Sequence, residues 1–318
     1  MKKNKDRYYK FATYLKERFG CRVHKAAIDA GFSCPNKDGK ISNQGCVYCD
    51  NRAVSFVSPP DRKLFPNGTR LSAKPIESQI EEGITVGRKL FGAEKFIVYF
   101  QFHTNTYASA DILKQRYDAI KKFPDIVGIS IGTRPDCVNQ EVLDLIHAYT
   151  VDYEVWIEYG LQSIHDKTLK LINRGHSYND FSRAVEATRR KKDIKICAHV
   201  IIGLPGETKQ HILQTAEELG RLKLDGIKIH PLHVIRGTKL EELLSAGLCK
   251  PLDFDEYVNL TVDFLEQLWP NTVVQRISAD CPEDLLVSPL WILGKNKMLN
   301  AVENTLLEKN KYQGRLYK

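Results

Sequence analysis

Apolar residues along this chain follow two alternating rhythms, one of period two and one of period three to four. Runs rich in β-branched and aromatic residues at 22–29, 95–101, 127–132, 153–159, 194–202 and 227–231 read as strands. Between them, Ile212, Ala216 and Leu219 fall at i, i+4 and i+7, and Val142, Leu143 and Ile146 form another short stripe. That spacing predicts helices with one buried face. From the second run on, the strands recur roughly every 30 to 40 residues, the length of a βαβ unit. Such an alternation predicts a parallel sheet with helices on its outside. Parity within the strands adds curvature. Val155, Ile157 and Tyr159 share one face and Glu154, Trp156 and Glu158 the other. The run 194–202 sets five apolar side chains against Lys195, Cys197 and His199, and 227–231 sets Ile227 and Ile229 against Lys228 and His230. A flat doubly wound sheet is apolar on both faces. One polar face fits a sheet curled round a ligand. Six units in roughly 200 residues fall short of the ~250 of an eightfold barrel, so the prediction is a partial, TIM-like (β/α)6 barrel.

The ends are extensions of that barrel. Tyr8, Phe11, Tyr14 and Leu15 predict an amphipathic helix. Beyond the sixth strand, 251–270 reads as a helix, 272–277 as a further strand and 291–311 as a terminal helix. No Gly/Ser-rich or Pro-rich linker divides the chain. The expected organisation is a core with its N-terminal extension over 1–240, and a C-terminal extension over 241–318 packed on it.

Composition narrows the class. With 42% hydrophobic and 27% charged residues the chain reads as folded rather than disordered. No segment approaches the ~18 uncharged apolar residues of a membrane span, and the basic N-terminus lacks the apolar centre of a secretory leader. Eight cysteines in 318 residues are too few for a secreted disulfide framework. The expected compartment is the cytoplasm, where thiols stay reduced and can ligate metal. The net charge of +8 tolerates a polyanionic partner without specifying one.

Three of those cysteines, Cys34, Cys46 and Cys49, lie just after the first strand in CPNKDGKISNQGCVYC, a stretch that Pro35, Gly39 and Gly45 make a loop. Soft thiolates select zinc or iron–sulfur clusters. Structural zinc takes four ligands, commonly from two knuckles, and only one C-x2-C knuckle is present. Cys21 and His24 are the candidate fourth ligands, on or before the first strand. Three cysteines alone suit a 4Fe–4S cluster with one iron left open.

With Tyr48 inside the last knuckle, this loop resembles that of the radical S-adenosylmethionine (SAM) superfamily. The wide first gap is similar to the subset related to the elongator catalytic subunit. IGTRPDCV at 131–138, EYGLQSIHDKTLKLINRGH at 158–176 and IIGLPGET at 201–208 resemble its third-, fourth- and fifth-strand motifs. RVHKAAIDAGFSCPN, YFQFHTNTYA, IGTRPDC and residues 289–297 are together similar to a narrower family named for YhcC and YtqA, with a branch called MnmL.

The resemblance implies a barrel of the radical SAM type, a 4Fe–4S cluster on Cys34, Cys46 and Cys49, and reductive cleavage of SAM to a 5′-deoxyadenosyl radical. It implies cofactor contacts from Tyr48, Gln101, Glu158, Gln162, Arg174, His199 and Gly203. Gln101 stands where relatives have a Gly-Gly-Glu-like turn, with Asn105 and Thr106 as further polar contacts; a helix N-cap at Thr104 or Asn105 is the plainer reading. A planar Arg174 suits the SAM carboxylate. Glu158 is either a hydrogen-bond acceptor for ligand or half of an ion pair. His199 and Gly132 depart from acidic residues in relatives. No catalytic residue is assigned; Cys137, Cys197 and His199 are weak candidates. The implied substrate is the tRNA wobble uridine, with a carboxymethylaminomethyl group trimmed to aminomethyl, and an electron donor such as flavodoxin or ferredoxin. Lys2, Lys3, Lys5, Arg7 and Lys10, residues 189–192, and Lys295, Lys297, Lys309, Lys311, Arg315 and Lys318 offer phosphate contacts. Two alternatives stay open: radical chemistry on a small metabolite or peptide, and a zinc-bound RNA-binding module without catalysis.

Overall fold

A computed structural model of the chain describes residues 6–50 and 74–318; Lys2, Lys3 and Lys5 of the basic N-terminus lie outside them. The chain opens with α1 (Phe11–Phe19), β1 (Val23–Ile28), α2 (Ile76–Phe91), β2 (Lys95–Phe100) and α3 (Ala110–Tyr117). It continues through β3 (Ile126–Thr133), α4 (Gln140–Ala148), β4 (Glu154–Gln162), α5 (Asp166–Leu171) and α6 (Tyr178–Arg189). Then come β5 (Ile194–Ile202), α7 (Lys209–Arg221), β6 (Gly226–Pro231), β7 (Val234–Ile235) and α8 (Lys239–Ser245). The end is formed by α9 (Phe254–Gln267), β8 (Val273–Arg276), β9 (Leu286–Ser288) and α10 (Lys295–Glu308). All six expected strands are present. The further strand expected at 272–277 is β8, which joins the same sheet in the order β1-β2-β3-β4-β5-β6-β8, every pair parallel. The expected terminal helix also divides, into a 3₁₀ turn at Leu290–Leu293 and α10.

The sheet is a half-barrel. Its convex face carries the apolar parity set, Ile157, Tyr159, Ile196, Ala198 and Ile229 among it, buried against Phe181, Ala184, Ile212 and Ala216 of the outer helices. No pairing joins β8 to β1. The segment leading into α1 lies along that open edge instead: Val274 donates its N–H to the Tyr9 carbonyl at 2.8 Å, and Lys10 bridges to Val274.

The concave face is sealed at its lower end by an aromatic plug. Tyr9, Phe11 and Tyr14 pack on buried Trp156, Cys197 and Val273, with the Phe11 and Tyr14 rings edge-on to Trp156 at 6.0 and 5.7 Å. Glu154 anchors the plug from within, accepting from Tyr14 Oη (2.6 Å), Arg18 Nε (2.9 Å) and Trp156 Nε1 (2.9 Å). Gly226 makes room for the indole, since a Cβ there would stand 2.8 Å from Trp156 Cζ3. Of the expected N-terminal stripe, Phe11 and Tyr14 join Tyr9 in the floor of the barrel, while Tyr8 packs into the main core and Leu15 is buried apart from the plug; the upper end is left for a ligand.

Candidate functional site

The cysteine loop is stitched to the chain segment after α5. Lys37 and Cys49 N–H groups close tight turns onto the Cys34 and Cys46 carbonyls at 2.8 and 3.0 Å. Gly45 N–H donates to the Asn36 carbonyl at 2.7 Å, folding the eleven-residue gap back on itself. Val47 N–H donates to Ile172 O, Asn36 Nδ2 to Asn173 O and Asn173 Nδ2 to Gly45 O, at 3.0, 2.6 and 2.7 Å. These bonds bring Arg174 onto the loop. Its guanidinium is buried, donating from Nε and Nη2 to the Gly160 carbonyl (3.1 and 2.7 Å) and from Nη1 to Cys46 Sγ (3.5 Å). Burial alone would raise the Cys46 thiol, but Arg174 and Arg134 outweigh it and bring it below its ordinary value. At Cys49 burial wins over Lys37, and the thiol is raised.

Two adjoining cavities open above the plug. One, of about 270 Å³, is lined by Cys34, Cys46, Gln101, Glu158 and Arg174 among others. The second, of about 200 Å³, shares Tyr48, Cys49, Gln162, His199, His230 and His233 with it and adds the apolar Ile201, Leu232 and Ile235. Between Gly160 and Gln162, β4 slips its register against β5, and Gln162 sits at φ +75°. A non-glycine residue there costs about 1 kcal/mol or more and is held by its surroundings. The bulge aims Gln162 into both cavities.

The floor of the larger cavity is a charged network centred on Glu158, whose side chain is fully buried. One oxygen accepts from Lys25 on β1 and Ser130 on β3; the other accepts from Lys228 on β6 and from His199 Nε2 on β5 at 2.7 Å. Both ammonium groups stand over the Tyr99 ring, Lys25 Nζ 4.2 Å and Lys228 Nζ 4.0 Å from its centre. Burial would raise the Glu158 carboxyl, yet Lys228, Lys25 and His199 hold it well below the usual carboxylate range. Lys228 falls to about 7, because burial and the neighbouring Lys25 outweigh Glu158. His199 falls to about 4, again through burial and then Lys228. It is thus a neutral imidazole that donates from Nε2, which leaves Nδ1 as an acceptor.

Donor atoms of Glu158, Cys197 and His199 all lie within 4.8 Å of one another, but two lysines already neutralise that carboxylate, so the trio is not a cation site. Of the three weak catalytic candidates, His199 lines both cavities, whereas Cys197 and Cys137 line neither. Cys197 is buried in the plug, and burial pushes the Cys137 thiol to about 12. Gly203 also lies off both cavities, at φ +95° beside Leu252 and Leu232. Asn105 and Thr106 are structural ties: Asn105 Nδ2 donates to the Phe100 and Gly132 carbonyls at 2.9 and 2.8 Å, and Thr106 Oγ1 to Cys137 O at 2.6 Å. The cap of α3 is Ser109, not Thr104 or Asn105. His24 stacks on Phe91 at 4.9 Å, away from the cysteine loop.

Family comparison agrees with this geometry. The model of the radical SAM superfamily matches residues 38–219, and that of the radical SAM C-terminal domain matches 224–308. The chain belongs to the radical SAM superfamily. It is 39% identical to the uncharacterized protein MJ0486 of Methanocaldococcus jannaschii, over 96% of this chain and 91% of that one. It is 35% identical to YtqA of Bacillus subtilis, over 98% and 93%. A tRNA uridine(34) acetyltransferase of Dehalococcoides mccartyi is 27% identical over 81% of this chain and 59% of its own. Among solved structures, archaeal Elp3 of Methanocaldococcus infernus shares the fold with TM-score 0.63 at 20% identity, covering 92% of this chain and 64% of that one.

Radical SAM enzymes use a 4Fe–4S cluster and SAM, which when bound supply one-electron cleavage of SAM to a carbon radical. The residues present fit these groups. Cys34, Cys46 and Cys49 line one cavity, and the other residues of that larger cavity can surround a ligand beside them. Lys37 and Arg174 stand beside the sulfurs, and the larger cavity reaches from the cysteines to Glu158, His199 and Lys228. The protein's part is to bind, orient and keep water from below: the plug closes the floor, and the Glu158 network fixes the polar groups above it.

Proposed function

We propose that this radical SAM enzyme acts in the cytoplasm on the wobble uridine of tRNA, trimming a carboxymethylaminomethyl group to aminomethyl. In this reading Cys34, Cys46 and Cys49 hold the cluster. Tyr48, Gln101, Gln162, Arg174 and His199 contact SAM, and a flavodoxin- or ferredoxin-like donor supplies the electron. The observation that carries the substrate class is the relatedness to tRNA uridine(34) acetyltransferases across most of this chain. A cavity that is cationic on its polar side supports it, as do eight free cysteines, which suit a reducing compartment. The surface supports it less. Lys10 pairs with Asp6 and Glu303, Lys191 with Asp144, and Lys311 with Asp263 and Glu266, so part of the expected basic surface is spent internally.

The test is mass spectrometry of tRNA nucleosides from a strain lacking the gene. Carboxymethylaminomethyl uridine should accumulate and aminomethyl derivatives disappear, with restoration by the wild-type protein but not by Cys46→Ala. An unchanged wobble-uridine profile refutes the substrate.

A further inference from the structure

Where the open edges of the sheet face each other, side chains from β1, β6, β8 and α10 form a cluster that SAM and the iron–sulfur cluster do not account for. Lys25, Lys228, Arg276 and Lys295 gather there around two carboxylates, Glu158 and Asp280. Glu158 is saturated by Lys25, Lys228, Ser130 and His199. Asp280 is half-exposed at the rim and divides itself between Arg276 and Lys295. The side-chain cluster thus holds four basic side chains to two carboxylates, and of the four Lys228 and Arg276 line the cavity. Arg276 follows β6 in register, opposite Lys228, and lines the larger cavity with His230 and His233. Its Nη2 donates to Asp280, and Tyr99 lines the same cavity.

His233 adds a second demand. Its Nδ1 donates to the Pro231 carbonyl at 3.1 Å, so in the neutral ring Nε2 bears the lone pair. That Nε2 is buried with no hydrogen-bond partner. A buried acceptor left unmet is costly, so the position calls for an N–H. A guanidinium that lines the same cavity, and shares its carboxylate partner Asp280 with Lys295, can take a second carboxylate.

We propose that Arg276 and His233 form a substrate subsite for a carboxylate one methylene away from an amine, Arg276 donating to the carboxylate and His233 Nε2 accepting from the N–H. The existence of the subsite is argued from the side chains alone; its occupant, the glycine-like end of a carboxymethylaminomethyl group, rests on the tRNA reading above. SAM also carries an amino acid, and the test separates the two sources.

The probe is N-methylglycine, titrated against cluster-loaded, SAM-bound enzyme and read by the rise in thermal midpoint. SAM affinity is measured in parallel by calorimetry. Wild type should bind the probe. Arg276→Gln should weaken probe binding at least about 10-fold, and Arg276→Lys should restore most of it, with SAM affinity unchanged within about 2-fold in both. On tRNA carrying the carboxymethylaminomethyl group, Arg276→Gln should lose about 10²-fold in kcat/KM, the scale of a lost hydrogen bond between charged groups. Failure of wild type to bind the probe overturns the proposal, and so does a parallel loss of SAM affinity in Arg276→Gln. Probe binding that depends on Arg276, with no turnover of tRNA, keeps the subsite and removes the uridine reading.

Discussion

Replacing Glu158 by glutamine removes one negative charge from a fully buried position and changes almost no volume. The carboxylate bonds two lysines, a serine and a histidine, all of them donors to it. An amide offers one acceptor oxygen and turns an NH2 toward donors. Removing one partner of a buried ion pair costs about 3–5 kcal/mol, because a buried charge is left uncompensated. Lys228, already near 7, escapes part of this by losing its proton, so the lower end, about 3 kcal/mol, is expected at neutral pH. For a chain of this length that lowers Tm by roughly 4–5 °C. The pH dependence has a definite shape. The folded pKa of Glu158 is depressed, so its contribution is present above the unfolded value of about 4.3 and is lost as pH falls through the folded value. The depressed Lys228 value means that above about 7 the unfolded chain binds more protons than the folded one. In wild type the Glu158–Lys228 pairing then fades, and Glu158→Gln costs less. Its destabilisation should therefore peak between roughly pH 4.3 and 7 and shrink on both sides. Urea and thermal unfolding from pH 4 to 9 check this. Glu158→Gln/Lys228→Met should regain about 2 kcal/mol of the loss, since removing both partners leaves less uncompensated charge. A destabilisation under about 0.5 kcal/mol, or strictly additive losses in the double variant, would refute the network as described.

Cys34→Ala, Cys46→Ala and Cys49→Ala should each abolish reductive SAM cleavage and lower the iron and sulfide content of anaerobically reconstituted protein; full content and activity in any one removes that residue from the ligand set. Gly160→Ala places a Cβ 2.7 Å from Arg174 Nη2 and 3.0 Å from Gln162 Nε2. Arg174 cannot yield without breaking its bonds to the Gly160 carbonyl, so SAM affinity should fall about 10-fold or more with secondary structure retained by circular dichroism; unchanged affinity would show that Arg174 does not grip SAM.

Runs of β-branched and aromatic residues located every strand of the core because each strand buries apolar side chains against helices, and that requirement is local. Parity within 153–159, 194–202 and 227–231 put Glu158, His199 and Lys228 on the polar face. It did not reveal that they share one carboxylate, since Lys25 and Lys228 meet Glu158 from 133 and 70 residues away. Lys25, Tyr99, Ser130 and Arg276 were missed for the same reason. Each is an ordinary residue within its own strand, and only the curl of the sheet makes it part of a site. The basic segments misled in the opposite direction. Lys311 is one of several cations near the C-terminus, and its partner Asp263 lies 48 residues back on α9, so charge counted along the sequence overstates charge offered to a phosphate. Gly203 shows a further limit. Its motif suggests close approach to a ligand, yet its positive φ serves a turn packed on Leu252.

The N-terminal aromatic stripe bears on the site even though it lines none of the larger cavity. A half-barrel lacks the strand that would close its lower end and its open edge. Without Tyr9, Phe11 and Tyr14 over Trp156, water would reach Cys197 and, one layer up, the Glu158 network. In water two lysines about one carboxylate would be weakly coupled pairs with ordinary pKa values. Enclosed, they depress Glu158, bring Lys228 to about 7 and keep His199 neutral. The plug and the network are thus one device. The helix fills the missing part of the barrel, and the dry interior it creates lets a single carboxylate organise side chains from four strands beneath the cysteine loop.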